Sequence, residues 1–148
     1  MKAITIWQPW ATLIAIGAKQ FETRSWATNY RGPLAIHAAK KQDRECLSLC
    51  KTEPFRSVLV DAGFERIGDL PFGSIIAIGT LMACVPTQKL VKEFDQRSRQ
   101  NELAFGDFSS GRFGWQIGHV RRIEAVPVAG RQGLWDWIKA RKTGRANG

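Results

Sequence analysis

Apolar and polar residues alternate at the start of the chain and then change to a helical spacing. Residues 3–7 alternate and predict a β-strand. A helix should open at Gln8-Pro9-Trp10, because proline suits the first helical position. One face of this helix carries four residues at the spacing i, i+3, i+4 and i+7: Trp10, Leu13, Ile14 and Gly17. Gly17 is suited to end the helix.

A period of two returns directly after this helix. Residues 19–26 predict a second strand, and the period places four side chains on one face: Gln20, Glu22, Arg24 and Trp26. The other face carries Phe21, Thr23 and Ser25. After a turn at 29–32, residues 33–39 predict a third strand, with His37 opposite the face formed by Leu34 and Ile36.

The remaining pattern alternates between strands and short helices. We expect a short helix at 41–51, irregular or helical chain at 52–72, a central strand at 73–85, an amphipathic helix at 87–100, a loop at 104–112, one or two strands at 113–128 broken near His119, and a closing segment that is helical from about 133 to 141. Short strands joined by turns and helices predict a mixed α/β (α+β) fold, a small β-barrel or sandwich with helices on its rim.

Composition supports one folded, basic domain. The chain has 148 residues, of which 44% are hydrophobic, so we expect a single domain over 1–148 with a basic tail from about residue 139. Six Trp and eight Phe exclude a disordered chain. The formal net charge is +9, which indicates either a solubility device or an acidic partner, and phosphates reward cationic side chains through counterion release.

Several classes of protein lack support in the sequence. The longest mainly apolar run, 75–85, is shorter than the roughly 20 residues that a membrane helix needs. No secretory signal follows Met1, and three Cys cannot pair completely, so we expect reduced thiols and a cytoplasmic location with no membrane partner. No phosphate-binding loop, dinucleotide fingerprint or metal-ligand spacing is present, so no cofactor and no metal site is evident. Whether a divalent metal assists stays open.

The most unusual stretch runs from residue 6 to residue 26. Lys19 stands at the helix-strand junction, and Glu22 and Arg24 share a face two residues apart. A carboxylate and a guanidinium at this spacing can form an ion pair beside a lysine, which could bind an anion or have a shifted pKa. The alternative is a surface ion pair beside a solvated lysine, worth at most about 1 kcal/mol.

These residues resemble the ASCH domain (activating-signal-cointegrator homology), a branch of the PUA-like barrels. The resemblance is carried by Gln8-Pro9-Trp10-Ala11, by the pattern G-x-K-x-x-E-x-R from Gly17 to Arg24, and by Ile36-His37-Ala38-Ala39-Lys40. The later blocks F-G-D-F-S-S-G-R-F-G-W at 105–115 and Q-G-L-W at 132–135 are similar to the bacterial and phage members of the family.

The resemblance implies a β-barrel with a cleft beside the first helix, lined by the G-x-K-x-x-E-x-R residues, and RNA as the expected ligand. Some members of the family are ribonucleases. Others are amidohydrolases that deacetylate acetylated cytidine with a Lys, a Thr three residues later and a distant Glu. In this chain the Lys position is Lys19, but the Thr position holds Glu22, and Thr23 should face away from it. The distant Glu could be Glu93 or Glu102.

We therefore predict Lys19 and Glu22 as catalytic candidates. The residues predicted to bind nucleic acid or another ligand are Trp10, Arg24, Trp26, Tyr30, His37, Lys40, Asp107, Ser109 and Arg112. For Trp10, packing in the core is the stronger interpretation, and for His37 it is a hydrogen-bonded structural role. The other aromatic side chains in this set suit stacking on bases, and the basic ones suit contacts with phosphates.

Three functions are consistent with this pattern. The first is an RNA- or nucleotide-binding protein that hydrolyses RNA in a basic cleft formed by Lys19, Glu22, Arg24 and the loop 107–112. The second is an amidohydrolase acting on an acylated nucleoside. The third is a non-catalytic module that binds RNA or protein. We prefer an RNA-directed role with hydrolysis over binding alone.

Overall fold

A computed structural model describes residues 1–97 and 99–138. The strands are β1 (Lys2–Ile6), β2 (Phe21–Arg24), β3 (Gly32–Ala38), β4 (Ser74–Pro86), β5 (Phe113–Pro127) and β6 (Leu134–Asp136). The helices are α1 (Trp10–Ala15), α2 (Arg44–Ser48), α3 (Phe55–Asp61), α4 (Thr87–Arg97) and α5 (Gln100–Ala104). Short 3-10 turns lie at Leu49–Lys51 and Ile67–Asp69. The predicted basic tail from about 139 lies outside the described residues.

The strands form one sheet in the order β2-β5-β4-β3-β1-β6, which curls into a half-barrel. β1 and β3 pair in parallel, and every other neighbouring pair is antiparallel. The mixed α/β class with helices on the rim is confirmed. The sheet does not close into a full barrel, because β2 and β6, the strands at its two edges, each pair with one neighbour only.

The apolar core lies on both faces of this sheet. α1 packs on one face, over a cluster that includes Leu34, Ile36 and the fully buried Trp115. The predicted parity of the third strand is therefore correct. On the other face Trp135 and Trp137 are buried beside Ala3, Ala35 and Ile75. Burying such aromatic side chains removes a large apolar area from water, so these clusters fix the sheet that carries the site.

One glycine sets the direction of the chain between α1 and β2. Gly17 has φ +80°, a left-handed conformation that glycine adopts without strain. The backbone N–H groups of Ala18 and Lys19 both donate to the carbonyl of Leu13, which closes the helix. Pro9 caps α1 from the position before its first residue instead of occupying it. The reversal at Gly17 places Lys19 directly beside the start of β2.

Near the end of the described chain the structure settles one open prediction and contradicts another. Of the one or two strands predicted over 113–128, the structure has one, β5 (Phe113–Pro127). The predicted break near His119 is a bulge in which His119 and Val120 face the single residue Gly79. His119 has φ +51°. The segment 134–136, predicted to be helical, is β6 because it pairs antiparallel with β1. Such a pairing partner is distant in sequence, so local spacing does not reveal it.

Candidate functional site

A cavity of about 430 Å³ lies between β2, α1 and the loop that follows α5. Its walls carry Lys19 and Glu22 together with Trp10, Asp107 and Arg112. We call it the Lys19 cavity. Five of the residues predicted for the site therefore meet here. Trp10 serves both interpretations, because it is half-buried, packs against two apolar clusters and also lines the cavity.

The Lys19 side chain is enclosed at the wall of this cavity. It is 1% exposed, and its Nζ has no hydrogen-bond partner among the described residues. The ring of Phe108 lies nearby, with its centroid 6.0 Å from Nζ. Burial lowers the pKa of the Lys19 ammonium, and the negative charges of Glu22 and Glu102 oppose this shift without cancelling it. A buried ammonium that lacks a partner is an energetic cost, which a ligand anion or hydroxyl would relieve.

Glu22 is held in place by Arg24, as the sequence predicts. Arg24 Nη2 lies 2.9 Å from Glu22 Oε2, and Arg24 Nε donates to the same oxygen at 3.1 Å. Arg24 Nη2 also donates to the backbone carbonyl of Thr5, on β1. Both hydrogen bonds to Glu22 use Oε2, so the pair fixes the carboxylate and leaves Oε1 outside that contact.

Arg112 and Asp107 form the opposite wall. Arg112 Nε lies 3.4 Å from Asp107 Oδ2, within ion-pair range, but makes no hydrogen bond among the described residues and is buried. Arg112 Nη2 donates to the carbonyl of Thr23. Asp107 accepts hydrogen bonds from the hydroxyl and the N–H of Ser109, and these bonds lower the pKa of the Asp107 carboxyl. The guanidinium therefore faces the cavity with hydrogen-bonding capacity to spare.

Glu102, one of the two residues that could be the distant Glu of the amidohydrolases, is a buried carboxylate. Its oxygens accept from the backbone N–H groups of Gln20 and Phe21, at the entry to β2. Burial raises the pKa of Glu102, whereas those N–H groups and Lys19 lower it. Glu102 is absent from the walls of the Lys19 cavity, so it acts on Lys19 through charge and through the position of β2.

A second cavity of about 620 Å³ opens beside the first. It is lined by Arg24, Trp26, His37 and Lys40, all predicted, and by residues the sequence did not single out: Thr5, Trp7, Lys41, Gly130 and Arg131. We call it the His37 cavity. The single cleft predicted from the sequence is therefore divided. Arg24 lines the His37 cavity, Glu22 lines the Lys19 cavity, and their ion pair joins the two.

Two predicted ligand-binding residues lie outside both cavities. The Tyr30 hydroxyl donates to the carbonyl of Pro33, and the Ser109 hydroxyl donates to Asp107. These contacts give both side chains local partners. Their binding roles stay predictions.

Gly106 has no side chain, and this absence makes room for the Lys19 ammonium. A Cβ at this position would lie 3.1 Å from Lys19 Nζ and 2.8 Å from Phe108 Cε2. We expect Gly106→Ala to displace the Phe108 ring and to lower the free energy of unfolding by about 1 to 2 kcal/mol. The measurement is urea denaturation, with Gly68→Ala as the control because nothing lies within 4 Å of a Cβ there. Equal effects of the two substitutions would contradict this packing.

The described residues offer neither a metal-ligand cluster nor a membrane helix. Within residues 1–97 and 99–138, no group of three or more His, Cys, Asp and Glu side chains is arranged to hold a metal ion. The three cysteines are free thiols. None of the helices in the described ranges has the length and apolar character needed to cross a membrane.

Comparison with known proteins identifies the family of the chain. The family model of the ASCH domain matches residues 4–125, and the chain belongs to this family, whose members are generally RNA-binding. The chain is 30% identical over 103 residues to human activating signal cointegrator 1 and 28% identical over 102 residues to the mouse protein. Each alignment covers 69% of this chain but 17% of the relative, so the chain spans about a sixth of the relatives it matches.

Solved structures show the same fold. The ASCH protein from Zymomonas mobilis matches with a TM-score of 0.53 at 16% identity, covering 97% of this chain and 90% of the other. A point mutant of that protein, with phenylalanine in place of a tyrosine, also gives 0.53, at 15% identity, covering 97% of this chain and 93% of the other. At these identities the likeness concerns the fold alone.

Proposed function

We propose that this chain binds single-stranded RNA and cleaves it, as a ribonuclease, in the Lys19 cavity. The observation that carries the proposal is the Lys19 ammonium, which is buried, lacks a partner among the described residues and lines an open cavity with Glu22 and Arg112. Membership of a family that is generally RNA-binding and a net charge of +9 support RNA as the ligand.

The chemistry that suits these groups is internal transfer at a phosphodiester. Glu22 accepts the proton of a ribose 2′-hydroxyl, and the 2′-oxygen forms a bond to the adjacent phosphorus. The bond from phosphorus to the 5′-oxygen breaks, and Lys19 gives a proton to that leaving oxygen. The products are a 2′,3′-cyclic phosphate and a 5′-hydroxyl, and solvent restores both protonation states. Arg112 binds the phosphate and stabilises the charge that develops on it.

The lowered pKa of Lys19 favours this role. An ammonium whose pKa lies below the ordinary value gives up its proton more readily than a solvated lysine does. A histidine can also accept such a proton, but His37 lines the His37 cavity and not the Lys19 cavity. Glu22 is therefore the preferred base.

The amidohydrolase alternative has less support. It needs a hydroxyl nucleophile near Lys19, and Glu22 occupies that position. Thr23 pairs with Gly114 across the sheet, and a Cβ on Gly114 would meet Leu90 of α4. Cross-strand partners share a face, so the Thr23 side chain lies on the α4 side, opposite Glu22. Thr23 is nevertheless one of the residues that line the Lys19 cavity, so the alternative keeps its place in the test below.

The test is incubation with short single-stranded RNA and with acetylated cytidine, followed by analysis of the products. We expect cleaved RNA with cyclic phosphate ends, and a fall in rate of about a hundredfold or more for Lys19→Met. Lys89→Met is the control, because Lys89 is an exposed lysine on α4. Intact RNA with measurable binding would demote the protein to a binding module, and deacetylation of the nucleoside would establish the amidohydrolase instead.

A further inference from the structure

The His37 cavity differs from the Lys19 cavity in its charge. Four cationic side chains line it: Arg24, Lys40, Lys41 and Arg131. In the part of the chain that the structure describes, no Asp or Glu is among its lining residues. Arg24 is paired with Glu22, which lines the other cavity, so Lys40, Lys41 and Arg131 are the cations that stand here without an acid among the lining residues. Such positive charge is the environment in which phosphate groups bind.

Two tryptophans stand at this cavity with much of their surface in water. Trp7 is 40% exposed and Trp26 is 38% exposed. The indole of Trp26 packs edge-on against that of Trp115, with ring centroids 4.7 Å apart. The backbone carbonyl of Trp26 accepts a hydrogen bond from Trp115 Nε1. Lys41 Nζ lies 5.0 Å from the centroid of Trp7. Exposed indole rings beside cations suit the stacking of nucleobases.

His37 supplies a polar group that none of the described residues satisfies. The ring is 1% exposed, and Nε2 lies 2.7 Å from the carbonyl of Val128. Burial lowers the pKa of the imidazole more than the hydrogen bond with Val128 raises it, which favours the neutral ring. A carbonyl only accepts, so the single ring proton is on Nε2 and Nδ1 is an acceptor. Nδ1 is buried and has no partner among the described residues.

Gly130 lies directly against this buried acceptor, and its missing side chain leaves the position beside Nδ1 unfilled. A Cβ on residue 130 would lie 2.8 Å from His37 Nδ1 and 2.7 Å from Thr5 Oγ1. Thr5 Oγ1 already accepts from Trp135 Nε1, which leaves its own proton available to donate. An acceptor and a donor side by side match the edge of a nucleobase, whose polar groups alternate in the same way.

We propose that the His37 cavity is a second nucleotide site, in which one base of a single-stranded RNA inserts against the edge formed by His37 and Thr5. The base stacks on an exposed indole, and Lys40, Lys41 and Arg131 bind the flanking phosphates. The strand continues past the Glu22–Arg24 pair into the Lys19 cavity. This inference rests on the proposed RNA function. It specifies the path of the RNA strand across the protein and the groups that bind the base.

The test is fluorescence anisotropy with a labelled single-stranded RNA of roughly ten nucleotides. All variants are made in the Lys19→Met background, which keeps the probe intact. We expect Lys40→Ser/Lys41→Ser to weaken binding about tenfold or more and to reduce the salt dependence by about two charges. Lys89→Ser/Lys92→Ser, which removes the same charge from the exposed face of α4, should leave both unchanged.

A second comparison isolates insertion of the base. Gly130→Ala, which fills the space beside Nδ1, should weaken binding about tenfold, whereas Gly68→Ala should not. A probe with an abasic backbone should bind weakly to the parent protein and show no further loss with Gly130→Ala. Equal affinities of the cavity variants and their controls would overturn the second site while leaving RNA hydrolysis intact. Binding without cleavage by the unmodified protein would overturn hydrolysis and leave this site standing, and absence of RNA binding would overturn both.

Discussion

Replacing Lys19 with methionine should raise the free energy of unfolding by about 1 to 2 kcal/mol at neutral pH, although it removes a group to which we assign a catalytic role. The reason is the balance of forces on the ammonium. Desolvation of Lys19 outweighs the attraction of Glu22 and Glu102, so the charged form is held in the fold at a net cost. Methionine fills a similar volume and carries no charge to desolvate.

The gain should shrink as the pH rises. The pKa of Lys19 is lower in the folded protein than the ordinary 10.5, so between these two values the unfolded chain binds more protons than the native state. Stability of the unmodified protein therefore rises with pH through this window, whereas the methionine variant lacks this contribution. Urea denaturation of both proteins between about pH 7 and pH 10 measures the difference.

Glu102 limits the size of this gain. Lys19 lowers the pKa of Glu102, so removing the ammonium makes the buried carboxylate more costly to ionise. Lys89→Met, on the exposed face of α4, should change stability by less than about 0.5 kcal/mol. A gain that grows with pH, or a loss of stability in Lys19→Met, would show that the ammonium is compensated in the fold.

The local features of the candidate site could be predicted because they depend on neighbours in the sequence. The spacing of Glu22 and Arg24 predicts a shared strand face, and the two side chains form an ion pair with 2.9 Å between nitrogen and oxygen. Gly17 predicts the end of α1 and therefore the place of Lys19. Both depend on helical and strand periods that a few residues define.

The division of the cleft could not be predicted, because it depends on contacts between distant parts of the chain. The His37 cavity exists because β1 and β3 pair in parallel and residues 130–133 close over their ends. Trp7, Lys41 and Arg131 meet there from segments far apart in sequence. The space beside Lys19 Nζ depends on the missing side chain of Gly106, and the space beside His37 Nδ1 on that of Gly130. The sequence alone does not reveal which atoms approach a glycine.

The Glu22–Arg24 pair should be worth several times more than a surface ion pair. The exposed fractions of the two side chains are 12% for Glu22 and 23% for Arg24, and Arg24 also donates to the carbonyl of Thr5. Arg24→Met leaves the Glu22 carboxylate largely buried without its cation. We expect a loss of about 2 to 4 kcal/mol in the free energy of unfolding, most of it from the uncompensated charge.

A double-mutant cycle separates that charge from the rest of the arginine. Glu22→Gln/Arg24→Met should recover at least about 1 kcal/mol relative to Arg24→Met alone, because glutamine carries no charge to desolvate. Lys2→Met is the matched control. Lys2 pairs with Asp136 at 3.1 Å, but the Asp136 side chain is 74% exposed, so its loss should lower stability by less than about 1 kcal/mol. If Arg24→Met and Lys2→Met destabilise equally, or if the two changes in the cycle add without coupling, the pair does not hold the boundary between the two cavities, and another contact must position Glu22.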